Sequence, residues 1–206
     1  GFLGLLGPAL TAEAVQKRRS LFAGRLGQEV ASPLVTVVDD GAMEGGLASA
    51  PFDGEGVPTG CTVLIEKGVL RGFLHNTYTA AREGTSSTGN GVRSSFKTTP
   101  EVGTTNFFVR PGTSSPAELI GGTPRGLYVT EVLGMHTANP ISGDFSVGAT
   151  GILIENGELT RPVRGVTIAG NILELLKNID GVGNDLRFFG GKGSPTIRVD
   201  GVSVSG

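Results

Sequence analysis

The sequence has little of several residue types on which common classes of protein depend. Its 206 residues include one cysteine, Cys61, two histidines and no tryptophan. A single cysteine excludes both an intrachain disulfide framework and a zinc site built from a cluster of cysteines. Because Cys61 comes just before the apolar run Val63-Leu64-Ile65, we expect it to be a buried structural residue.

Charge and long apolar runs are also scarce. Only 17% of the residues are charged, the net charge is -2 and the pI is about 5.7. These values argue against a nucleic-acid partner, which needs clustered Lys and Arg. No run of about 18 apolar residues occurs, so the sequence predicts no membrane span. The apolar segment GFLGLLGPAL has no basic residues ahead of it, as a signal peptide would, and we expect a cytoplasmic location.

Glycine is abundant by contrast, at 35 of 206 residues. That is well above the usual ~7%, and the glycines follow no collagen period. They separate short apolar runs, which is typical of the turns and bulges of a β-rich domain. A chain of this length suffices for one well-filled core. Because the sequence also begins without an initiator methionine, we expect it to be the C-terminal portion of a longer protein.

The predicted elements are short and mostly extended. Thr11 and Asn171 are candidate N-caps, and the predicted helices lie at residues 11–20, 76–83, 114–120 and 172–178. The predicted strands lie at residues 34–38, 105–110 and 125–133, and residues 196–204 form a closing hairpin with an Asp-Gly turn. These elements predict an α+β fold, a β-dominated mixed or antiparallel sheet domain with a few short helices, formed by residues 1–206.

Two further hairpins share one design. Residues 62–70 and 151–159 both run through an apolar triplet, Glu, a turn residue and Gly to a Leu. In the second, Asn156-Gly157 supplies the positive φ angles of a tight turn. This likeness predicts a β-hairpin used twice in one architecture.

No self-sufficient catalytic site is evident from the residue types. His75 and His136 lie far apart in sequence, and neither has a Glu or a second His at helical spacing, as a metalloprotease helix requires. A zinc site from both histidines and Cys61 would need the fold to gather them. The pair Asp39-Asp40 before Gly41 is more typical of a turn than of a metal site.

The order of several motifs resembles the C-terminal domain of the TldD/PmbA family. They are FAGRLGQ at 22–28, VVDDG at 37–41, FDGEGVPT at 52–59, LIEKG at 64–68, TGNG at 88–91, LIENG at 153–157, residues 165–171 and GNDL at 183–186. The resemblance covers nearly the whole chain.

The resemblance implies a role in peptide degradation. Family members are intracellular zinc metallopeptidases that trim unfolded peptides as heterodimers of a TldD-type and a PmbA (TldE)-type subunit. The TldD-type subunit carries an HExxxH helix before the FAGR motif and a cysteine near the C-terminus. Here the two histidine positions hold Leu3 and Pro8, and residues 190–193 contain no cysteine. The resemblance therefore implies no metal site in this chain, with zinc expected in a TldD-type partner.

The loop GMHTANPISGDFS at 134–146 resembles the PmbA-type version. The chain is accordingly interpreted as a non-metal-binding accessory subunit that docks a TldD-type catalytic subunit around an unfolded peptide. His136, Asn139 and Asp144 are the candidates for lining the peptide cleft, and no catalytic residue is assigned. A metal-independent peptide-binding or scaffold homodimer is the main alternative. A metallopeptidase with relocated ligands His75, His136 and Asp144 is a third.

Overall fold

The computed structural model describes residues 1–206 and is dominated by strands. The helices are α1 (Phe2–Ala9), α2 (Ala12–Gln16), α3 (Thr77–Glu83), α4 (Pro116–Gly121) and α5 (Ile172–Lys177), with a 3₁₀ turn at Met135–Thr137. The strands are β1 (Val37–Asp40), β2 (Cys61–Glu66), β3 (Val69–Leu70), β4 (Gly91–Val92), β5 (Glu101–Val102), β6 (Phe107–Val109), β7 (Arg125–Leu133), β8 (Asp144–Glu155), β9 (Glu158–Asn171), β10 (Ile179–Val182), β11 (Arg187–Phe189), β12 (Lys192–Ser194), β13 (Ile197–Val199) and β14 (Ser203–Ser205). The predicted α+β class is confirmed.

A six-stranded sheet forms the more compact region. Its strand order is β11-β12-β6-β1-β2-β3, and all its pairs are antiparallel except β12 with β6. The sheet is therefore mixed, as predicted. Helices α1 and α5 contribute to its core of 19 buried residues, in which Phe22 and Phe107 are the largest fully buried side chains.

A four-stranded antiparallel sheet forms the second region. Its order is β14-β9-β8-β7, and its central strands β8 and β9 have 12 and 14 residues. Phe145, Val147 and Ala149 alternate along β8 toward one face, where they belong to a core of only five buried residues. Strand β7 is an edge of this sheet, and Val129 and Leu133 on it are exposed.

Side-chain caps explain where the short helices begin. The Thr11 hydroxyl accepts a hydrogen bond from the Ala14 N–H, and the Asn171 amide oxygen accepts one from the Leu173 N–H. Both predicted N-caps are confirmed. Helix α2 is shorter than predicted, because Arg18 adopts a φ of 56°, which a right-handed helix does not allow.

Both predicted hairpins form, one in each sheet. Lys67-Gly68 joins β2 to β3 and Asn156-Gly157 joins β8 to β9, and all four residues have positive φ angles. Such angles at both turn positions match the right-handed twist of the flanking strands. The repeated design thus serves two different sheets.

Three expectations are wrong. Residues 196–204 do not form a hairpin, since β13 pairs with β10 and β14 pairs with β9. Cys61 is exposed, because it is the first residue of β2 and lies at the end of the sheet. Asp39 is not a turn residue, since β1 extends through Asp40 and Asp39 is only 1% exposed. The turn prediction holds for Asp40, whose carboxylate accepts a hydrogen bond from the Ala42 N–H at 3.0 Å.

An apolar cavity of about 590 Å³ lies between the two regions. It is lined mainly by hydrophobic side chains from α1, α5, β7 and β13. The small core of the four-stranded sheet therefore does not close fully onto the larger one. No helix has the length and apolar character needed to cross a membrane.

Candidate functional site

The loop between β7 and β8, together with the first residue of β8, carries all three residues predicted to line a peptide cleft. It begins at Gly134, whose φ of 83° turns the chain into the 3₁₀ turn Met135–Thr137. Ala138 is buried beneath the loop, whereas His136, Asn139 and Asp144 are exposed. All three polar side chains are thus at the surface.

Asn139 shapes the loop itself. Its side-chain oxygen accepts hydrogen bonds from the backbone N–H groups of Ile141, at 2.9 Å, and Ser142, at 3.2 Å. Its own N–H donates to the Asp144 carbonyl oxygen at 2.9 Å. These bonds close a local turn of the kind that asparagine commonly makes.

Asp144 holds the end of the loop to the neighbouring strand. Its carboxylate accepts from the Ser142 hydroxyl at 2.7 Å and from the Asn171 side-chain amide at 2.8 Å. These bonds, the one from Ser142 above all, lower the pKa of Asp144, because they stabilise the charged form. Asp144 is therefore an ionised acceptor that fixes the first residue of β8 against the last of β9.

Ser142 forms hydrogen bonds with both Asn139 and Asp144 and so links them. His136 forms no hydrogen bond with either residue. Asn139 and Asp144 hold the loop's shape rather than project into a cavity. Their neighbours Pro140 and Ile141 are the loop residues that border a cleft. The prediction that the three polar residues line a peptide cleft remains a prediction.

The cleft beside Pro140 and Ile141 has a volume of about 690 Å³. Its other walls are the end of α1, helix α2 with the residues just after it, residues 102–104, and Lys192 on β12. Gly7 permits a close approach between two of these walls, since a Cβ there would lie 3.1 Å from the Thr104 methyl group. The cleft is therefore a meeting point of elements from both regions.

Cations dominate the charged lining of this cleft. Lys17, Arg19 and Lys192 face one carboxylate, Glu13, which forms an ion pair with Lys17. Arg19 and Lys192 take part in none of the four ion pairs of the chain. Sequence reasoning missed both residues, although the run Lys17-Arg18-Arg19 and the glycines around Lys192 are visible in the sequence.

The residues present do not fit a zinc ion. Leu3 and Pro8, at the positions where the resemblance expects histidines, both lie in α1, which continues through Pro8 to its last residue. No group of three or more His, Cys, Asp or Glu side chains is placed to hold a metal ion. The alternative sites built from His75, His136 and Asp144, or from both histidines and Cys61, therefore lack the necessary geometry.

His75 instead belongs to the compact region. The residue is 7% exposed, and its Nε2 atom lies 3.7 Å from the Glu83 carboxylate. Burial lowers the pKa of His75, and the nearby Glu83 charge only partly opposes this effect. The Nδ1 atom is buried without a hydrogen-bond partner. His75 is thus a mainly neutral, buried histidine outside the cleft.

Comparison with known proteins identifies the family. The model of the PmbA/TldA metallopeptidase C-terminal domain matches residues 1–206. A Haemophilus influenzae protein named "Metalloprotease TldD homolog" is 34% identical over 98% of this chain and 45% of its own length. A "Metalloprotease PmbA homolog" from the same organism is 31% identical over 100% of this chain and 44% of its own.

Solved structures agree with this assignment. A Thermotoga maritima protein of known structure superimposes with a TM-score of 0.93 and 41% identity, over 99% of this chain and 46% of that one. The crystal structure of TldE from Thermococcus kodakarensis superimposes with a TM-score of 0.91 and 34% identity, over 100% of this chain and 48% of that one. The chain spans about half the length of these relatives. The chain belongs to the PmbA/TldA metallopeptidase family, and its residues match the C-terminal domain of that family.

Proposed function

We propose that this chain is the non-metal-binding, PmbA/TldE-type accessory subunit of a heterodimeric zinc metallopeptidase that trims unfolded peptides in the cytoplasm. The proposal rests mainly on one observation, which is that this chain has no set of side chains placed to bind zinc. Leu3 and Pro8 stand at the expected histidine positions, and no three potential ligands cluster anywhere in the chain. A zinc ion requires three or four such side chains. The catalytic metal would then belong to a TldD-type partner.

The relatives support a two-subunit arrangement without deciding this chain's type. Proteins named TldD homolog and PmbA homolog match it with similar identities, and a TldE matches it in structure. Identity alone therefore leaves both types open. The missing ligands favour the accessory type, because a catalytic subunit without ligands could not activate water through a metal.

The free edge of β7 supports peptide or partner binding. This strand has nine residues, and no strand of the chain pairs with its outer edge. Unpaired N–H and C=O groups on such an edge can pair with an added strand, and main-chain bonds tolerate many peptide sequences. Val129 and Leu133 add exposed apolar contacts along the strand.

The direct test is to mix this chain with a TldD-type protein that has an intact HExxxH helix. Cleavage of an unfolded peptide and complex formation by analytical ultracentrifugation are measured for each protein alone and for the mixture. We expect a one-to-one complex and cleavage that requires both chains. Cleavage by this chain alone would overturn the proposal.

A matched pair of variants tests the role of β7. Val129→Asp places a charge on the edge strand, whereas Val92→Asp places one at a similarly exposed position on β4. We expect Val129→Asp to weaken the complex about tenfold or more, because inward or edge charges oppose strand pairing. Val92→Asp should leave it unchanged. Equal effects of both would exclude β7 as the docking edge.

The same edge favours a second candidate, a metal-independent peptide-binding or scaffold homodimer. Two copies could pair their β7 strands antiparallel about a two-fold axis, since the contact would use the same patch on each copy. The ultracentrifugation experiment separates the two candidates. A stable dimer of this chain that persists when the TldD-type protein is added would favour the homodimer.

A further inference from the structure

We propose that the cleft between α1, α2 and Lys192 binds a carboxylate group of a peptide, with Arg19 and Lys192 as the binding cations. The carboxylate is either the peptide's C-terminus or an Asp or Glu side chain. This inference rests on the proposed peptide substrate and assigns the part of it that this chain recognises. Neither residue belongs to the predicted cleft residues His136, Asn139 and Asp144.

The charge of the cleft is opposite to that of the chain. The net charge of the whole molecule is -2, yet three cations and one carboxylate line this cleft. Lys17 is neutralised by its ion pair with Glu13, which leaves Arg19 and Lys192 without a carboxylate partner. Concave walls of one charge sign raise the local concentration of ligands of the opposite sign.

Arg19 and Lys192 lie on different walls of the cleft, and hydrogen bonds hold the backbone at each residue in place. Strand β12 lies between β11 and β6, where Lys192 pairs with Phe107. The Arg19 N–H donates to the Ala14 carbonyl oxygen just after the left-handed Arg18. Binding would therefore order the two side chains but not the backbone, which limits the entropy lost on association.

The chemistry of the walls favours a peptide carboxylate over other anions. An arginine can donate two parallel hydrogen bonds to a carboxylate, and a lysine adds a point charge. Val102, Pro140 and Ile141 form apolar surface in the same cleft, and Ile141 is 55% exposed. Such surface suits a side chain next to the carboxylate.

The test measures binding of short, unstructured, dye-labelled peptides to this chain alone by fluorescence anisotropy. One peptide has a free C-terminal carboxylate and no acidic side chain. The second is its C-terminal amide, and the third is the amide with one internal Glu. We expect a carboxylate-containing peptide to bind about tenfold more tightly than the neutral amide, with an advantage that decreases as salt rises. Whether the first or the third peptide shows the advantage identifies the source of the carboxylate.

Three variants localise the effect. Arg19→Gln and Lys192→Gln should each remove most of the preference for the carboxylate. Arg18→Gln is the matched control, because it removes a neighbouring exposed cation that does not line the cleft. It should leave the preference unchanged. Melting temperatures verify that all three variants are folded.

Several results would overturn the proposal. These are equal binding of all three peptides, no binding of any of them, or an equal loss in Arg18→Gln. The measurement uses neither a partner nor zinc, so its outcome is separate from that of the mixing experiment. Partner-dependent cleavage without a carboxylate preference would leave the accessory role in place and remove only the assignment of this cleft.

Discussion

The two sheet regions each contain an aspartate with similar hydrogen-bond donors but a different environment. In the six-stranded sheet, Asp39 accepts from the Asn90 amide at 2.7 Å and from the Thr105 N–H and hydroxyl at 2.7 and 2.8 Å. The residue is 1% exposed, and burial raises the pKa of Asp39 although these bonds oppose the change. Asp39 thus ties two distant loop segments to β1.

Asp144, at the start of the four-stranded sheet, also accepts from an asparagine amide and a hydroxyl. It is exposed, and the same kind of bonds lower its pKa because little desolvation opposes them. The difference shows how the regions divide their roles. The compact region fixes its loops through buried polar groups, whereas the four-stranded sheet leaves an edge strand and a loop at the surface.

The largest expected losses of stability come from substitutions in the two hydrophobic cores, and their sizes allow the cores to be compared. Phe107 is fully buried in the 19-residue core, while Phe145 is 5% exposed in the five-residue core, where its ring meets Phe2 edge-on at 5.1 Å. We expect Phe107→Ala to cost about 5 kcal/mol of unfolding free energy and Phe145→Ala about 3 kcal/mol. Urea unfolding measures both. A larger loss of unfolding free energy for Phe145→Ala would show that the four-stranded sheet, and not the six-stranded one, has the more stabilising core.

The two aspartates give the next largest contrast. Asp39→Ala leaves the buried donors of Asn90 and Thr105 without an acceptor, and we expect a loss of about 4 kcal/mol. Asp144→Ala removes bonds that water can replace, so its loss should be much smaller. Thermal unfolding of the two variants, with the wild type as reference, provides the comparison. Similar losses would show that Asp39 is not held as the structure indicates.

The turn glycines of the two hairpins provide a third contrast. A Cβ at Gly68 would lie 2.4 Å from the Ala31 carbonyl oxygen, and one at Gly157 would lie 2.6 Å from the Gly121 carbonyl oxygen. We expect Gly68→Ala and Gly157→Ala to cost about 3 and 2 kcal/mol, because both overlap and positive φ oppose a side chain.

Gly165 is the control for these glycines. Its φ is 72°, but a Cβ at that position would have no other atom within 4 Å. Gly165→Ala should therefore cost only the conformational strain, about 1 kcal/mol. If all three variants lose the same stability, the close contacts at the hairpin turns contribute nothing.

The smallest expected effect concerns pH. The folded state lowers the pKa of His75 below its usual 6.5, so near that pH the unfolded chain binds more protons than the folded one. Stability should therefore fall as the pH falls below about 6.5. His75→Gln should reduce this fall, measured as melting temperature against pH. An unchanged pH profile in His75→Gln would contradict the buried, neutral state.

Much of the fold was predictable because the relevant interactions are local. Asn171 caps the next helix through its own side chain, and Asn156-Gly157 determines its turn by backbone preference alone. The prediction of a closing hairpin was wrong because distant strands determine the pairing here. β13 pairs with β10 and β14 pairs with β9, in two different sheets. Nothing near Asp200-Gly201 in the sequence indicates that choice.

The candidate site was less predictable for the same reason. Asn139 and Asp144 are polar residues at a loop, which makes them candidates for a binding site. In the fold, however, they bond to Ser142 nearby and, for Asp144, to Asn171 on the adjacent strand 27 residues away. Arg19 and Lys192 line one cleft only because the fold brings the segment after α2 and strand β12 to the same side of the molecule. Their separation of more than 170 positions hides that relation in the sequence.

We propose that this chain holds no catalytic zinc of its own. The most direct measurement is the zinc content of the purified chain, by mass spectrometry of the metal after incubation with zinc and removal of the unbound ion. We expect far less than one zinc per chain and no peptide cleavage by the chain alone. One tightly bound zinc per chain, together with cleavage in the absence of a partner, would contradict it.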